Sequence, residues 1–143
     1  MRPVKLTMTA FGPYKDTETI NFKELDGLNI FVISGATGAG KTTIFDAICF
    51  ALYGSASGTD RENIMMLRSH FANDDVHTKV EFVFEIKGRL YRVLRQIGHV
   101  KSGNKTKTGD KYELYEQIGT EEIPCVDRQM VTEINEKIEQ LIG

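Results

Sequence analysis

The chain has 143 residues, of which 41% are hydrophobic and 27% are charged, and its formal net charge is −2. This length and balance are typical of one folded domain, and they exclude a protein that coats nucleic acid through overall positive charge. No apolar run reaches the ~20 residues of a membrane span, and the two cysteines stand too far apart for a C-x-x-C pair. We therefore expect a cytoplasmic protein without a disulfide framework.

The first part of the chain predicts three strands. Residues 4–10 alternate between apolar and polar side chains, as a half-buried strand does, and 17–22 repeat the pattern after a turn over 11–16. Residues 28–34 are apolar on both faces, which predicts a central strand covered on both sides of its sheet.

A phosphate-binding motif follows this third strand. Residues 35–42, GATGAGKT, match G-x-x-x-x-G-K-[ST] in full. The glycines leave the backbone bare, so that several N–H groups can converge on one anion. A helix N-terminus carries only about half a positive charge, so a polyphosphate also needs the full charge of Lys41. A Gly-rich structural turn would explain neither Lys41 nor Thr42.

These residue types predict an ATP and Mg²⁺ site. Lys41 is the predicted catalytic residue and reaches the β- and γ-phosphates, Thr42 is the predicted Mg²⁺ ligand, and Thr43 bonds to the α-phosphate.

The run after the motif predicts a helix that ends at Gly54. Ile44, Ile48 and Leu52 share one side of it, with Phe45 and Cys49 beside them. Because it is apolar nearly all round, we expect this helix to be buried rather than surface-lying.

Three further alternating segments, 78–86, 91–97 and 112–118, predict antiparallel strands, the first two joined by a hairpin at Lys87–Gly88. An apolar stripe of 3.6-residue period predicts a last helix that starts at Asp127 or Thr132 and ends at Ile142. The fold class is therefore α/β: a P-loop NTPase with a mixed sheet, much of it antiparallel, around the helix of the motif.

Two local features have competing interpretations. The loop 99–111 contains four lysines, which favour either a DNA phosphate contact or, more simply, a solvated hairpin tip. The three histidines lack metal-ligand spacing, so surface or loop positions are expected for them.

No apolar strand ending in Asp-Glu follows the motif, although hydrolysis requires an acidic metal ligand of that kind. We expect the chain to be part of a longer protein and to show no meaningful ATP turnover alone.

Several segments together resemble the N-terminus of the SbcC family, the SMC-like, ABC-type ATPase subunits of bacterial SbcCD nucleases. The segments that carry this resemblance are residues 4–14, 20–22, 35–43, 45–48, 51–54, 60–63 and 66–68. The resemblance covers essentially the whole chain and implies that residues 1–143 are one N-terminal lobe of an ATPase head. Carried over by position, the nucleotide-binding residues are Gly35, Thr37, Gly38, Ala39, Gly40, Lys41, Thr42, Thr43 and Arg68.

The resemblance also implies partners. In the family, a long coiled coil separates this lobe from a C-terminal ATPase lobe of the same chain, and two heads sandwich two ATP molecules as a homodimer. The head acts with an SbcD-like nuclease on double-stranded DNA ends or hairpins in repair, recombination and replication. A nucleoid-associated cytoplasmic location without a membrane is implied.

Two other classes of function remain open. A compact P-loop nucleotide kinase would use the same motif, but such kinases alternate strand and helix, whereas residues 78–118 predict consecutive strands. A structural clamp that binds ATP only to dimerise would lack hydrolysis altogether.

Overall fold

An antiparallel sheet is the largest part of the structure, a computed structural model that describes residues 1–22, 41–54 and 67–143. The elements in chain order are β1 (Arg2–Phe11), β2 (Tyr14–Asn21), α1 (Lys41–Tyr53), β3 (Thr78–Ile86), β4 (Arg89–Ile97), β5 (His99–Val100), β6 (Lys107–Thr108), β7 (Lys111–Ile118), β8 (Glu121–Pro124) and α2 (Val131–Ile142). Six strands pair in the order β2-β1-β3-β4-β7-β8, and β5 and β6 form a separate two-stranded ribbon.

The predicted antiparallel strands are confirmed as β3, β4 and β7. Lys87 and Gly88 connect β3 to β4 with φ angles of 51° and 78°, the left-handed geometry that a two-residue hairpin requires. The predicted turn over 11–16 is too long, since β2 already begins at Tyr14. The sequence does not predict β8, because its four residues are all exposed and give no apolar alternation.

The predicted mixed sheet also contains a third predicted strand, at residues 28–34. Every strand pairing among the described residues is antiparallel. The predicted strand at 28–34 lies outside the described residues, so the parallel part of the predicted mixed sheet stays a prediction.

The core lies between one face of the sheet and the two helices. Alternate residues of β1, β3, β4 and β7 point to this face, since a strand has a side-chain period of two. The core-cluster residues that these strands contribute include Leu6, Met8, Val80, Phe82, Phe84, Tyr91, Val93, Ile97 and Leu114. Helix α1 contacts β1, β3 and β4, while α2 contacts β7 and α1.

The predicted end of α1 at Gly54 is confirmed, and the predicted apolar stripe faces the core only in part. Leu52 is buried and Ile44 and Ile48 pack half-buried against the core, but the most deeply buried residues of α1 include Ala47, Phe50 and Ala51. Phe45 and Tyr53 are 52% and 56% exposed. Because α1 is apolar on nearly every side, its sequence does not show which side will be buried. In the structure, the small side chains of Ala47 and Ala51 allow the helix to approach the sheet closely.

Helix α2 confirms the predicted stripe and stop. Ile134 and Ile138 are buried, and the N–H of Gly143 donates to the oxygen of Glu139 at 2.9 Å, closing the last turn. Before the helix, the N–H of Arg128 donates to the Glu133 carboxylate at 2.9 Å. Neither α1 nor α2, the helices of the described ranges, is long and apolar enough to cross a membrane.

The predicted lysine-rich loop forms the ribbon of β5 and β6. This ribbon contacts the segment that precedes β3. His99 is 3% exposed, so the expected surface position is wrong for this histidine. Its Nε2 lies 2.6 Å from the carbonyl oxygen of Asp74. Two of the four lysines have acidic neighbours, since Lys107 lies 3.2 Å from Asp110 and Lys111 lies 3.0 Å from Glu113.

Arg92 organises the opposite face of the sheet. Its Nε donates to Glu122 on β8 at 2.7 Å, and its Nη2 donates to Glu113 on β7 at 3.0 Å. The hydrogen bond from Arg92 lowers the pKa of Glu122, although burial opposes the shift. Burial alone would raise the pKa of Glu113, but hydrogen bonds from Lys111 and Arg92 outweigh it and leave that pKa lowered. Arg92 therefore fastens the edge strand β8 to the sheet.

Replacing Arg92 with leucine should destabilise the fold at pH 7 by about 1–2 kcal/mol, because two carboxylates lose a charged donor. Carboxyl groups with lowered pKa values add stability above their ordinary value of 4.5, and this stability is lost as pH falls through the lower folded values. Urea unfolding should show wild type and Arg92→Leu converging below pH 4.5. The control is Arg89→Leu. It should have little effect, because the Arg89 side chain is 68% exposed and its guanidinium lies 3.8 Å from Glu116. A wild-type advantage that does not depend on pH would contradict this explanation.

Candidate nucleotide-binding site

The phosphate-binding motif is only partly within the described structure. Gly35, Thr37, Gly38, Ala39 and Gly40 lie outside the described residues. Helix α1 begins at Lys41, within the motif itself, but only the backbone of Lys41 and Thr42 is described. The phosphate and Mg²⁺ roles of these residues stay predictions.

The first turn of α1 has the electrostatic character that an anion needs. It contains no acidic residue, so no carboxylate there offsets the positive end of the helix dipole. A helix N-terminus with free N–H groups favours phosphate.

The end of β1 is bent next to this helix. Ala10 has a φ of 50°, and the pairing with β2 shifts register between Thr9 and Phe11. Such a bulge redirects the residues that follow it. The carbonyl oxygen of Ala10 accepts bonds from the Ser69 N–H and the Thr78 hydroxyl, both at 2.9 Å. The bulge is thus held by residues from two later parts of the chain.

Gly12 brings this bent end against α1. Its N–H donates to the oxygen of Leu67 at 2.8 Å, and its φ is +56°. A Cβ at this position would lie 2.8 Å from Cγ2 and 3.3 Å from Oγ1 of Thr43. The backbone of Gly12 therefore packs directly on Thr43, and no other residue fits there without displacing it.

These contacts enclose a cavity of about 300 Å³ at the first turn of α1. The lining residues come from the end of β1, from α1 and from the segment after residue 66: Phe11, Gly12, Pro13, Thr43, Asp46, Leu67, Arg68 and His70. The structure thus brings two sequence-predicted site residues, Thr43 and Arg68, to one cavity. Its volume is at the lower end of the range for small-molecule sites.

The guanidinium of Arg68 is engaged with protein acceptors. Its Nη1 donates to the oxygen of Val76 at 2.6 Å and to the Thr78 hydroxyl at 3.2 Å. Its Nη2 donates to the oxygen of Asn73 at 2.9 Å. Arg68 therefore braces the segment between residue 68 and β3, and its nucleotide contact stays a prediction.

Sequence reasoning did not assign roles to Gly12 or Asp46. Asp46 is fully buried and is the one acidic residue in the apolar run from Ile44 to Tyr53, which is a signal for a special environment. Gly12 within Phe11-Gly12-Pro13 signals a turn, but its contact with Thr43 depends on how β1 and α1 meet. Within the described ranges, no group of three or more His, Cys, Asp or Glu residues could hold a metal ion.

Comparison with known proteins defines the family to which the chain belongs. The AAA domain family matches residues 5–142, nearly the whole chain. The chain therefore belongs to the AAA domain family.

Particular relatives are found among bacterial nuclease components. The chain is 47% identical over 116 residues to the SbcC component of the SbcCD nuclease from Staphylococcus saprophyticus, covering 81% of this chain and 11% of that protein. It is 44% identical over 118 residues to the SbcC component from Staphylococcus aureus, covering 82% of this chain and 12% of that protein. The chain thus spans about a tenth of the length of the curated relatives it matches. These relatives agree with the resemblance to the SbcC family.

Proposed function

We propose that this chain is the ATP-binding N-terminal lobe of an SMC-like, ABC-type ATPase head. The observation that supports it most strongly is the position of the helix that begins at Lys41, the last residue but one of the predicted motif. Its first turn borders a cavity closed by the bent end of β1 and the Leu67–His70 segment. The site residues Gly35, Thr37, Gly38, Ala39 and Gly40 immediately precede that turn in sequence.

In this proposal each part of the motif has one task. The backbone of the glycine-rich loop surrounds the phosphates, Lys41 neutralises the β- and γ-phosphates, and Thr42 binds Mg²⁺. Mg²⁺ held by Thr42 would offset the negative charge of the phosphates. Thr43, held in place by Gly12, bonds to the α-phosphate, and Arg68 lines the adjoining cavity.

The sheet supports an ATPase head over a compact nucleotide kinase. From β3 to β8 the described chain contains no helix, and β3, β4, β7 and β8 are antiparallel neighbours. A kinase of the compact P-loop class alternates strands with helices.

We further propose that this lobe works within a larger assembly. The Staphylococcus relatives are named as components of the SbcCD nuclease. In the complete protein, a C-terminal ATPase lobe supplies the acidic residues missing here, ATP joins two heads, and the dimer regulates an SbcD-like nuclease at DNA ends or hairpins.

The proposal is tested by measuring ATP binding and turnover separately. The 143-residue chain should bind Mg²⁺·ATP in isothermal titration calorimetry, because the motif supplies all phosphate contacts named above. A steady-state phosphate-release assay should detect no turnover above the protein-free rate, since an acidic Walker B residue is absent from the sequence. A chain that binds no ATP would overturn the nucleotide site, and sustained hydrolysis would overturn the half-site assignment.

The ribbon of β5 and β6 leads to a prediction for the salt dependence of DNA binding by the complete complex. Lys107 and Lys111 lie beside carboxylates, so Lys101 and Lys105 should carry most of any phosphate contact. Changing both to glutamine should reduce the slope of log K against log salt by about 2, at roughly 0.9 per phosphate contact. Lys107→Gln with Lys111→Gln is the matched control, with a smaller change. Equal slopes for wild type and Lys101→Gln/Lys105→Gln would show that the ribbon does not contact DNA.

A further inference from the structure

A buried arginine joins the two helices at the end of α1 farthest from the cavity. Arg95 of β4 is 0% exposed. Its Nε donates to the carbonyl oxygen of Ala51 at 2.8 Å, in the last turn of α1. Its Nη2 donates to Oδ1 of Asn135 on α2 at 2.7 Å. One side chain thus holds α1 and α2 together.

The acceptors of this guanidinium are neutral groups. Ala51 and Asn135 provide an amide carbonyl each, and a carbonyl oxygen of Leu52 lies 3.5 Å from Nη2. Burial lowers the pKa of Arg95 to about 10, so it stays charged at neutral pH. Burying a charge is costly, and hydrophobic replacements of buried charges are often as stable as the original. Stability of the core alone is therefore a weak reason for an arginine here.

The position of Arg95 places its charge at the C-terminal end of α1. Helix α1 has no basic residue in its own last turn, so Arg95 supplies the cation that the negative end of the helix dipole favours. The guanidinium also lies beside Gly54, which ends α1 with a φ of +77°, since a Cβ there would be in van der Waals contact with Nη1 at 3.4 Å.

We propose that Arg95 is a positioning residue of the nucleotide site, which ties α1 to α2 through Asn135 and so links nucleotide affinity to the docking of α2. This inference rests on the proposed function, because it assumes that nucleotide binds at the other end of α1.

The physical basis is that α1 is short and regular. Its 13 residues span about 20 Å, and a packed helix shifts as a unit. A helix held at its last turn by Arg95 and Asn135 presents its first turn to the phosphates in one position. Affinity and docking are then coupled, and coupling between two equilibria acts equally in both directions. Nucleotide should therefore stabilise the docked α2.

Two measurements on the full chain test this coupling. Calorimetry gives the Kd for Mg²⁺·ATP, and amide hydrogen exchange of α2 is followed with and without Mg²⁺·ATP. In wild type, ATP should slow exchange at residues 134–142 by about five-fold. In Asn135→Ala, ATP affinity should fall about five-fold, and ATP should no longer slow exchange in α2.

Two further variants separate positioning from a general effect on α2. Asn135→Asp keeps an oxygen acceptor for Arg95, so it should retain affinity and the ATP effect on exchange. Glu133→Ala removes the bond from the Arg128 N–H at the start of α2 without touching Arg95, so it should leave ATP affinity unchanged.

The coupling is overturned if Asn135→Ala binds ATP as wild type does, if Asn135→Asp fails equally, or if Glu133→Ala weakens binding as much. ATP binding to wild type that leaves exchange in α2 unchanged would overturn the coupling alone. A wild-type chain that binds no ATP would overturn the proposed function and the coupling together.

Discussion

Replacing Lys41 with alanine is expected to weaken Mg²⁺·ATP binding by about 3 kcal/mol, roughly 100-fold, because the phosphates lose a full charge and its hydrogen bonds. The backbone N–H groups and the helix dipole remain in this variant, but the dipole contributes only about 0.3–2 kcal/mol. Isothermal titration calorimetry with a non-hydrolysable ATP analogue measures the loss directly. The fold should stay intact, since Lys41 is the first residue of α1.

A matched lysine shows whether this loss is local. Lys79 is an exposed residue of β3 that does not line the cavity, so Lys79→Ala removes the same charge outside it. It should bind ATP with wild-type affinity. If Lys41→Ala and Lys79→Ala bind equally well, the phosphate-binding role of the motif is wrong, and the proposed function with it.

Replacing Gly12 with alanine is expected to destabilise the fold by about 2–5 kcal/mol. An L-residue at its φ of +56° costs about 1–2 kcal/mol, and the new Cβ would lie 2.8 Å from Thr43 Cγ2, an overpacking cost of about 1–3 kcal/mol. Because Thr43 is in the first turn of α1, its displacement should also weaken ATP binding. Urea unfolding and calorimetry measure the two effects on the same samples.

The structure offers a control that separates strain from the clash. Gly119 has a similar φ of +61°, but a Cβ there would meet nothing within 4 Å. Gly119→Ala should therefore cost only the backbone term and leave ATP affinity unchanged. Thr43→Ser removes the clashing Cγ2, so Gly12→Ala should cost less in a Thr43→Ser background. Equal destabilisation by Gly12→Ala and Gly119→Ala would show that the Thr43 contact has no energetic weight.

The two ends of α1 have different neighbours, and both depend on distant parts of the chain. The first turn meets Gly12 and the cavity, while the last turn meets Arg95 from β4 and, through it, Asn135 from α2. A helix held at both ends by residues remote in sequence is well placed to transmit small displacements. This arrangement makes α1 the element on which both the proposed function and the proposed coupling depend.

Local patterns determined much of this protein. The alternation in β3, β4 and β7 predicted antiparallel strands because each has one face on the core, and Lys87-Gly88 predicted their turn. Gly54 predicted the end of α1, whereas the phosphate chemistry that the motif at 35–42 predicts from residue types alone stays a prediction. These features depend on neighbours within a few residues, so the sequence is sufficient for them.

Only the tertiary structure decided which side of α1 is buried, because every side of that helix is apolar and packing against the sheet makes the choice. It also decided that Gly12 packs on Thr43, that His99 is buried, and that Arg95, one of the alternating core-facing residues of β4, caps a helix rather than reaching solvent. Each of these contacts joins segments that are dozens of residues apart in sequence, and no local pattern records which distant groups the folded chain brings together.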